Sequence, residues 1–108
     1  MSKEITRPAL AEALLSKNPP IVFEALDRKY FDVGHIPTAK VLPLAEIDAV
    51  VPDHVARKDA PIVLYCASAT CRNSHQAAEY LAAQGYTDVA VYAGGKQDWS
   101  EAGLKLEK

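Results

Sequence analysis

The run from Pro61 to Ala93, PIVLYCASATCRNSHQAAEYLAAQGYTDVAVYA, constrains the fold more than any other part of the chain. It opens on a short β-branched apolar strand, residues 61–66, and closes on a second, residues 88–93. Between them Ser74, Ala77, Ala78, Leu81 and Ala82 recur at i, i+3, i+4, i+7 and i+8, so they share one face of a helix. Gly85 stands where a helix end favours glycine. Strand, helix and strand in so short a span predict a crossover joining two parallel strands. Strands that are apolar throughout belong in a sheet covered on both faces.

The flanking segments extend this alternation. Thr6 can cap a helix with Pro8 in its first turn, and Leu10, Leu14 and Ala11 or Ala13 form its apolar stripe before Pro19 ends it. Residues 21–25, IVFEA, read as a buried strand. RKYFDVGHIPTA, residues 28–39, reads as a loop with a helical turn, broken by Gly34 and Pro37. VLPL begins a further extended piece, a weak helix over 44–50 is expected to end at Pro52, and KQDWSEA is a last short helix after a Gly94-Gly95 turn. The fold class is therefore α/β, a parallel sheet with helices on both faces. No repeat, low-complexity tract or linker divides the 108 residues, which are expected to form one domain, 1–108.

Composition narrows the function. A net charge of −2 and no basic run argue against generic nucleic-acid binding. The apolar runs are far too short to span a membrane, and the first ten residues, MSKEITRPAL, lack the apolar core of a secretory signal, so a cytoplasmic location is the default expectation. Two cysteines are too few for a disulfide framework or an all-cysteine zinc site. In a reducing compartment both are thiols at rest.

Those two cysteines lie in YCASATCRNS, residues 65–74. Ligands of open parallel sheets bind beyond the carboxyl ends of the strands, and Cys66 is expected as the last residue of its strand. Ala67, Ser68, Ala69, Thr70 and Cys71 are small, and Arg72 opens the helix. Such a loop can curl its N–H groups into an anion cradle backed by a helix amino terminus. A thiolate there is expected to have a pKa below the usual value of about 8.5 and to act as a nucleophile toward anionic electrophiles. A strand-end cysteine is more often packing alone; the loop, the arginine and the following helix together are what favour a functional thiol.

Three stretches of the chain resemble a single-domain rhodanese. YFDVGHIPTAKVLPL (30–44) is similar to the family's glycine-histidine-isoleucine-proline segment, residues 62–95 to its active-site strand, loop, helix and next strand, and GGKQDWSEAG (94–103) to its closing glycine-glycine, tryptophan and glycine signature. The resemblance implies a five-stranded parallel sheet flanked by helices. It implies a catalytic cysteine, matched by Cys66, that holds sulfane sulfur as a persulfide, and a substrate-binding loop, matched by Ala67, Ser68, Ala69, Thr70, Cys71 and Arg72. It calls for no metal and no organic cofactor. Its partners would be a small-molecule sulfur donor and a thiol or cyanide acceptor, or a protein of a sulfur relay.

The match has departures. Five residues separate Cys66 from Arg72 where rhodaneses usually have four. Five is the spacing of rhodanese-fold phosphatases of the cell-division-cycle type and of eukaryotic arsenate reductases, which accept larger oxyanions. Those relatives usually have histidine before the cysteine, and here that residue is Tyr65. Glu24 stands where the family usually has aspartate and Leu26 where it usually has arginine. Cys71 has two readings: a resolving thiol that forms a disulfide with Cys66, or a small residue packed at a helix start.

Other tempting residues have structural readings. His35 is expected to bond backbone in a turn, Trp99 to anchor the last helix in the core, and His54 and His75 to bind no metal, lacking companions at ligand spacing. The function expected first is sulfur transfer. The alternatives are arsenate reduction or phosphate-ester hydrolysis at the same thiol, and a non-catalytic binding module. Hydrolysis would need a general acid, for which Glu24 or Asp27 would have to swing in.

Overall fold

The structure is a computed structural model and describes residues 3–108. Five parallel strands form one sheet in the order β1-β5-β4-β2-β3: β1 (Lys3–Glu4), β2 (Ile21–Glu24), β3 (Lys40–Val41), β4 (Ile62–Tyr65) and β5 (Val89–Tyr92). Among the described residues four α-helices connect them, α1 (Arg7–Leu14), α2 (Arg28–Asp32), α3 (Ile47–His54) and α4 (Asn73–Ala83), and α5 (Gly95–Glu101) follows the last strand. This is the α/β fold expected. Among the described residues no helix is long and apolar enough to cross a membrane.

The pleat of the strands divides the core in two. Phe23, Ile62, Leu64, Val89 and Val91 point to one face, where they meet Val51 of α3 and Ala77, Ala78 and Leu81 of α4. Their neighbours Val22, Val63, Tyr65, Ala90 and Tyr92 point to the other, with Leu10 of α1 and Trp99 of α5. The period-2 alternation is hidden in the sequence because both faces are apolar. The expected caps hold: Thr6 Oγ1 accepts from Ala9 N at 3.3 Å, and Gly85, at φ +100°, follows the end of α4. Trp99 is buried, and its Nε1 donates to Lys105 O at 3.0 Å.

Three boundaries differ from expectation. A 3₁₀ turn at Leu44–Glu46 precedes α3, which continues through Pro52 to His54. Proline removes one N–H from the ladder, but the burial of Val51 and Val55 on either side holds the last turn in place. The edge strand β1 carries no apolar signal, since both of its residues are exposed, and it exists only by pairing with Ala90 and Val91 of β5. Cys66 lies one residue beyond β4 instead of ending it.

Candidate active site

β4 is central, so its carboxyl end opens into the middle of the sheet's ligand-binding edge, and Cys66 occupies that position with only 2% of its surface exposed. The loop that follows turns back on itself through a 3.1 Å bond from Cys71 N to Ser68 O. Its far end enters α4, so the first turn of that helix faces the thiol. Ser74 Oγ lies 3.6 Å from Cys66 Sγ. The Cys66 thiol donates to the Cys71 carbonyl at 3.4 Å.

The backbone is held from beneath by α5. Lys96 N donates to Cys66 O and Gln97 N to Ala67 O, both at 2.9 Å. Gly95 makes this approach feasible: a Cβ there would lie 2.3 Å from Cys66 O and 2.9 Å from Ser68 N, and its φ is +68°. Gly95→Ala is accordingly expected to push the loop off α5, slow sulfur uptake and cost about 1–3 kcal/mol in overpacking and backbone strain. Urea unfolding together with an uptake assay would check it; wild-type values in both would contradict the packing argument.

The loop residues named from the sequence are brought together, with one exception. Ala67, Ser68, Ala69, Thr70 and Cys71 form the turn, and Ser68 Oγ and Thr70 Oγ1 lie 3.1 Å apart at its rim. Among the described residues, the amides of Ala67, Ser68, Ala69 and Thr70 donate to no protein acceptor. Arg72 is solvent-exposed, and among the described residues it is not one of the groups that shift the Cys66 thiol.

That difference overturns the expected low pKa. Burial pushes the Cys66 thiol above its ordinary range, and the Cys71 thiol pushes the same way, while the Ser74 hydroxyl and amide pull it down. The resting group is a protonated thiol, and its anion is formed on demand. Alkylation of Cys66 by iodoacetamide is thus expected to rise roughly tenfold per pH unit through the neutral range, as it does below a pKa. Ser74→Ala, which removes a hydrogen bond worth about 1 kcal/mol, is expected to move the curve further toward alkaline pH. A rate already level at neutral pH would contradict both statements.

Ser74 is the functional residue that sequence reasoning missed. It stood on the apolar stripe of α4, and the signal was its polarity: one hydroxyl, 1% exposed, on a face otherwise made of alanine and leucine.

Two departures from the family pattern prove to be one contact. Glu24 and Tyr65 are register partners on β2 and β4, and Tyr65 Oη donates to Glu24 Oε1 at 2.7 Å while accepting from Ile36 N at 3.0 Å. Glu24 is fully buried, and Lys96 Nζ lies 3.2 Å from its Oε2. That ion pair lacks hydrogen-bond alignment, because Lys96 Nζ donates to Tyr30 O at 2.6 Å and Gly34 O at 2.8 Å. The cluster sits directly under Cys66, since Tyr65 precedes it and the Lys96 amide binds its carbonyl.

His35 is structural, as expected: its ring stacks on Phe31 with centroids 3.9 Å apart, and its Nδ1 lies 3.3 Å from Phe31 O. His54 packs edge-on to Phe23. It also lines a cleft of about 490 Å³ between α2, β3 and α3 that includes none of the loop residues. His75 lies on α4.

Comparison with known proteins decides the family. Residues 7–102 match the rhodanese-like domain. The chain is 32% identical over 89 residues to thiosulfate sulfurtransferase GlpE of Pseudoalteromonas translucida, covering 82% of this chain and 81% of that one. The chain belongs to the rhodanese-like domain family. A sulfurtransferase of Allochromatium vinosum is 30% identical over 108 residues, covering 98% of this rhodanese domain and 95% of its own length. The crystal structure of thiosulfate sulfurtransferase from Pseudomonas aeruginosa superposes with a TM-score of 0.88 at 28% identity, over 98% of this chain and 20% of that one. A rhodanese-like domain protein from Staphylococcus aureus, with a TM-score of 0.75 at 28% identity, is matched over 99% of its length and 98% of this chain.

Proposed function

We propose that this rhodanese domain is a sulfurtransferase that carries sulfane sulfur on Cys66. The observation that carries the reading is the seat of that thiol. It is buried beyond the central strand, against the first turn of α4, under a loop in which the amides of Ala67, Ser68, Ala69 and Thr70 have no protein acceptor among the described residues. The names of the curated relatives point to the same chemistry.

The donor is thiosulfate or a persulfide. The Cys66 thiolate attacks the donor's outer sulfur, the donor's S–S bond breaks, and its electron pair leaves with sulfite or a thiolate. Cys66 then holds a persulfide anion. A thiol or cyanide, or the thiol of a relay protein, attacks the terminal sulfur and the Cys66 thiolate leaves. Ser74 and the loop amides of residues 67–70 hold the negative charge in both steps. Arg72, exposed at the mouth, meets the anionic group of the arriving donor. Neither step calls for a metal or organic cofactor. The chemistry suits a reducing, cytoplasmic setting, where the thiol is available at rest.

The five-residue loop keeps a second reading in view, oxyanion chemistry on arsenate or a phosphate ester. Against hydrolysis stands Glu24, which is buried beneath the loop and bound to Tyr65 and Lys96, so it is not available as a general acid. The test is incubation with thiosulfate followed by intact mass measurement. One added sulfur atom, removable by cyanide, is the expected result. No sulfur uptake, with hydrolysis of an arylphosphate through Cys66, would replace the proposal with the second reading.

A further inference from the structure

We propose that Cys71 is a second catalytic thiol, which attacks the persulfide at the Cys66 sulfur, expels hydrosulfide and leaves a Cys66–Cys71 disulfide for a dithiol to reduce. The inference rests on Cys66 being the sulfur carrier and names a dithiol as the reductant class that completes the cycle.

The argument begins with the loop. The Cys71 N to Ser68 O turn folds the second cysteine back toward the first. As a result the Cys71 carbonyl oxygen lies 3.4 Å from Cys66 Sγ. A carbonyl oxygen is two bonds from its own Cα, so this contact sets the Cys71 backbone beside the Cys66 sulfur; a disulfide forms once the two Cα atoms stand roughly 4.4–6.8 Å apart. The second thiol already acts on the first, pushing Cys66 upward alongside the larger effect of burial.

Exposure separates their roles. Cys66 is buried, whereas Cys71 is half-exposed at the entrance of the loop. Attack by a dithiol on the finished disulfide therefore falls on the Cys71 sulfur, releasing Cys66 as the thiolate that starts the next cycle. Attack at the accessible sulfur and departure of the enclosed one is an ordinary exchange geometry.

The electrons balance without an outside oxidant. Sulfur uptake breaks the S–S bond of thiosulfate, releases sulfite and leaves Cys66–S–SH. The Cys71 thiolate then forms a bond to Cys66 Sγ, the bond from Sγ to the outer sulfur breaks, and its pair leaves with the outer sulfur as hydrosulfide. The sulfane sulfur is reduced and the Cys71 thiol oxidised. A dithiol supplies two electrons and two protons to reset the pair. The net reaction is thiosulfate plus dithiol giving sulfite, hydrosulfide and a cyclic disulfide, an activity distinct from handing sulfur intact to cyanide.

The experiment uses the full chain under anaerobic conditions with thiosulfate as the only added reagent. In the wild type, hydrosulfide is expected to appear one-for-one with molecules two hydrogens lighter, in which peptide mapping finds Cys66 linked to Cys71. In Cys71→Ser, and in Cys71→Ala as a second variant, the sulfur that is taken up is expected to stay bound as a persulfide with no hydrosulfide released. A wild-type persulfide that persists, or one that migrates to Cys71 without hydrosulfide, overturns the role of Cys71 while leaving Cys66 as carrier. Equal release of hydrosulfide by the variants also overturns it. If neither wild type nor variants take up sulfur, the sulfurtransferase reading falls and this inference with it.

Discussion

Replacing Cys66 with serine is expected to abolish thiosulfate-dependent sulfur uptake and cyanide-dependent turnover while leaving the fold intact. The pocket already surrounds this side chain with groups that suit a hydroxyl. The Cys71 carbonyl can accept from it at the position where it now accepts from the thiol, and Ser74 Oγ stands on the other side. The site is almost closed, but oxygen is smaller than sulfur, so nothing is overpacked. What is lost is the soft nucleophile: a serine hydroxyl is not ionised near neutral pH and does not open an S–S bond. Loss of a nucleophile removes on the order of 10³-fold or more in rate. Intact mass after thiosulfate treatment and a thiosulfate–cyanide assay would read the effect, with far-ultraviolet circular dichroism as the check on folding. Residual activity within tenfold of wild type would move the nucleophile elsewhere in the chain.

Lys96→Met is expected to be the most destabilising single change in the cluster beneath the loop. Glu24 is 0% exposed and Lys96 is its only counter-charge among the described residues, at 3.2 Å. Removing the lysine leaves a buried carboxylate with one hydrogen bond, from Tyr65, and the carbonyls of Tyr30 and Gly34 without their donor. Breaking a buried pair from one side costs about 3–5 kcal/mol, a fall in Tm of roughly 15 °C or more for a domain of this size. Glu24→Gln in the same background removes the uncompensated charge and should restore much of the loss. Thermal unfolding of the three proteins would check this, and a Tm unchanged in Lys96→Met would show that water, not Lys96, screens Glu24.

The architecture was legible because its signals are local. Proline and glycine punctuate the strands and helices, the stripe on α4 is regular, and Thr6 announces α1. The site was legible to the extent that it is contiguous: Cys66 to Arg72 is one stretch of chain, and its place beyond a central strand follows from the strand–loop–helix pattern. What escaped depends on partners distant in sequence. β1 is two exposed residues whose strand character comes from β5. The Glu24–Tyr65–Lys96 cluster joins three elements, so Glu24 and Tyr65 looked like two unrelated departures from the family pattern. The thiol's pKa was misjudged for a related reason: the exposure of Arg72 and the depth of Cys66 are properties of packing, which spacing does not encode.

The two hydrogen bonds from α5 to the loop have an orienting effect as well as a supporting one. In a trans peptide unit the C=O and the following N–H point in opposite directions, and no peptide among the described residues is cis. By drawing the carbonyls of Cys66 and Ala67 toward itself, α5 turns the amides of Ala67 and Ser68 away, to the opposite side of the loop. The last helix, which contributes no side chain to the thiol, thereby sets the polarity of the concavity above it. An anion held by those two amides would be bound on the strength of contacts made on the far side of the backbone.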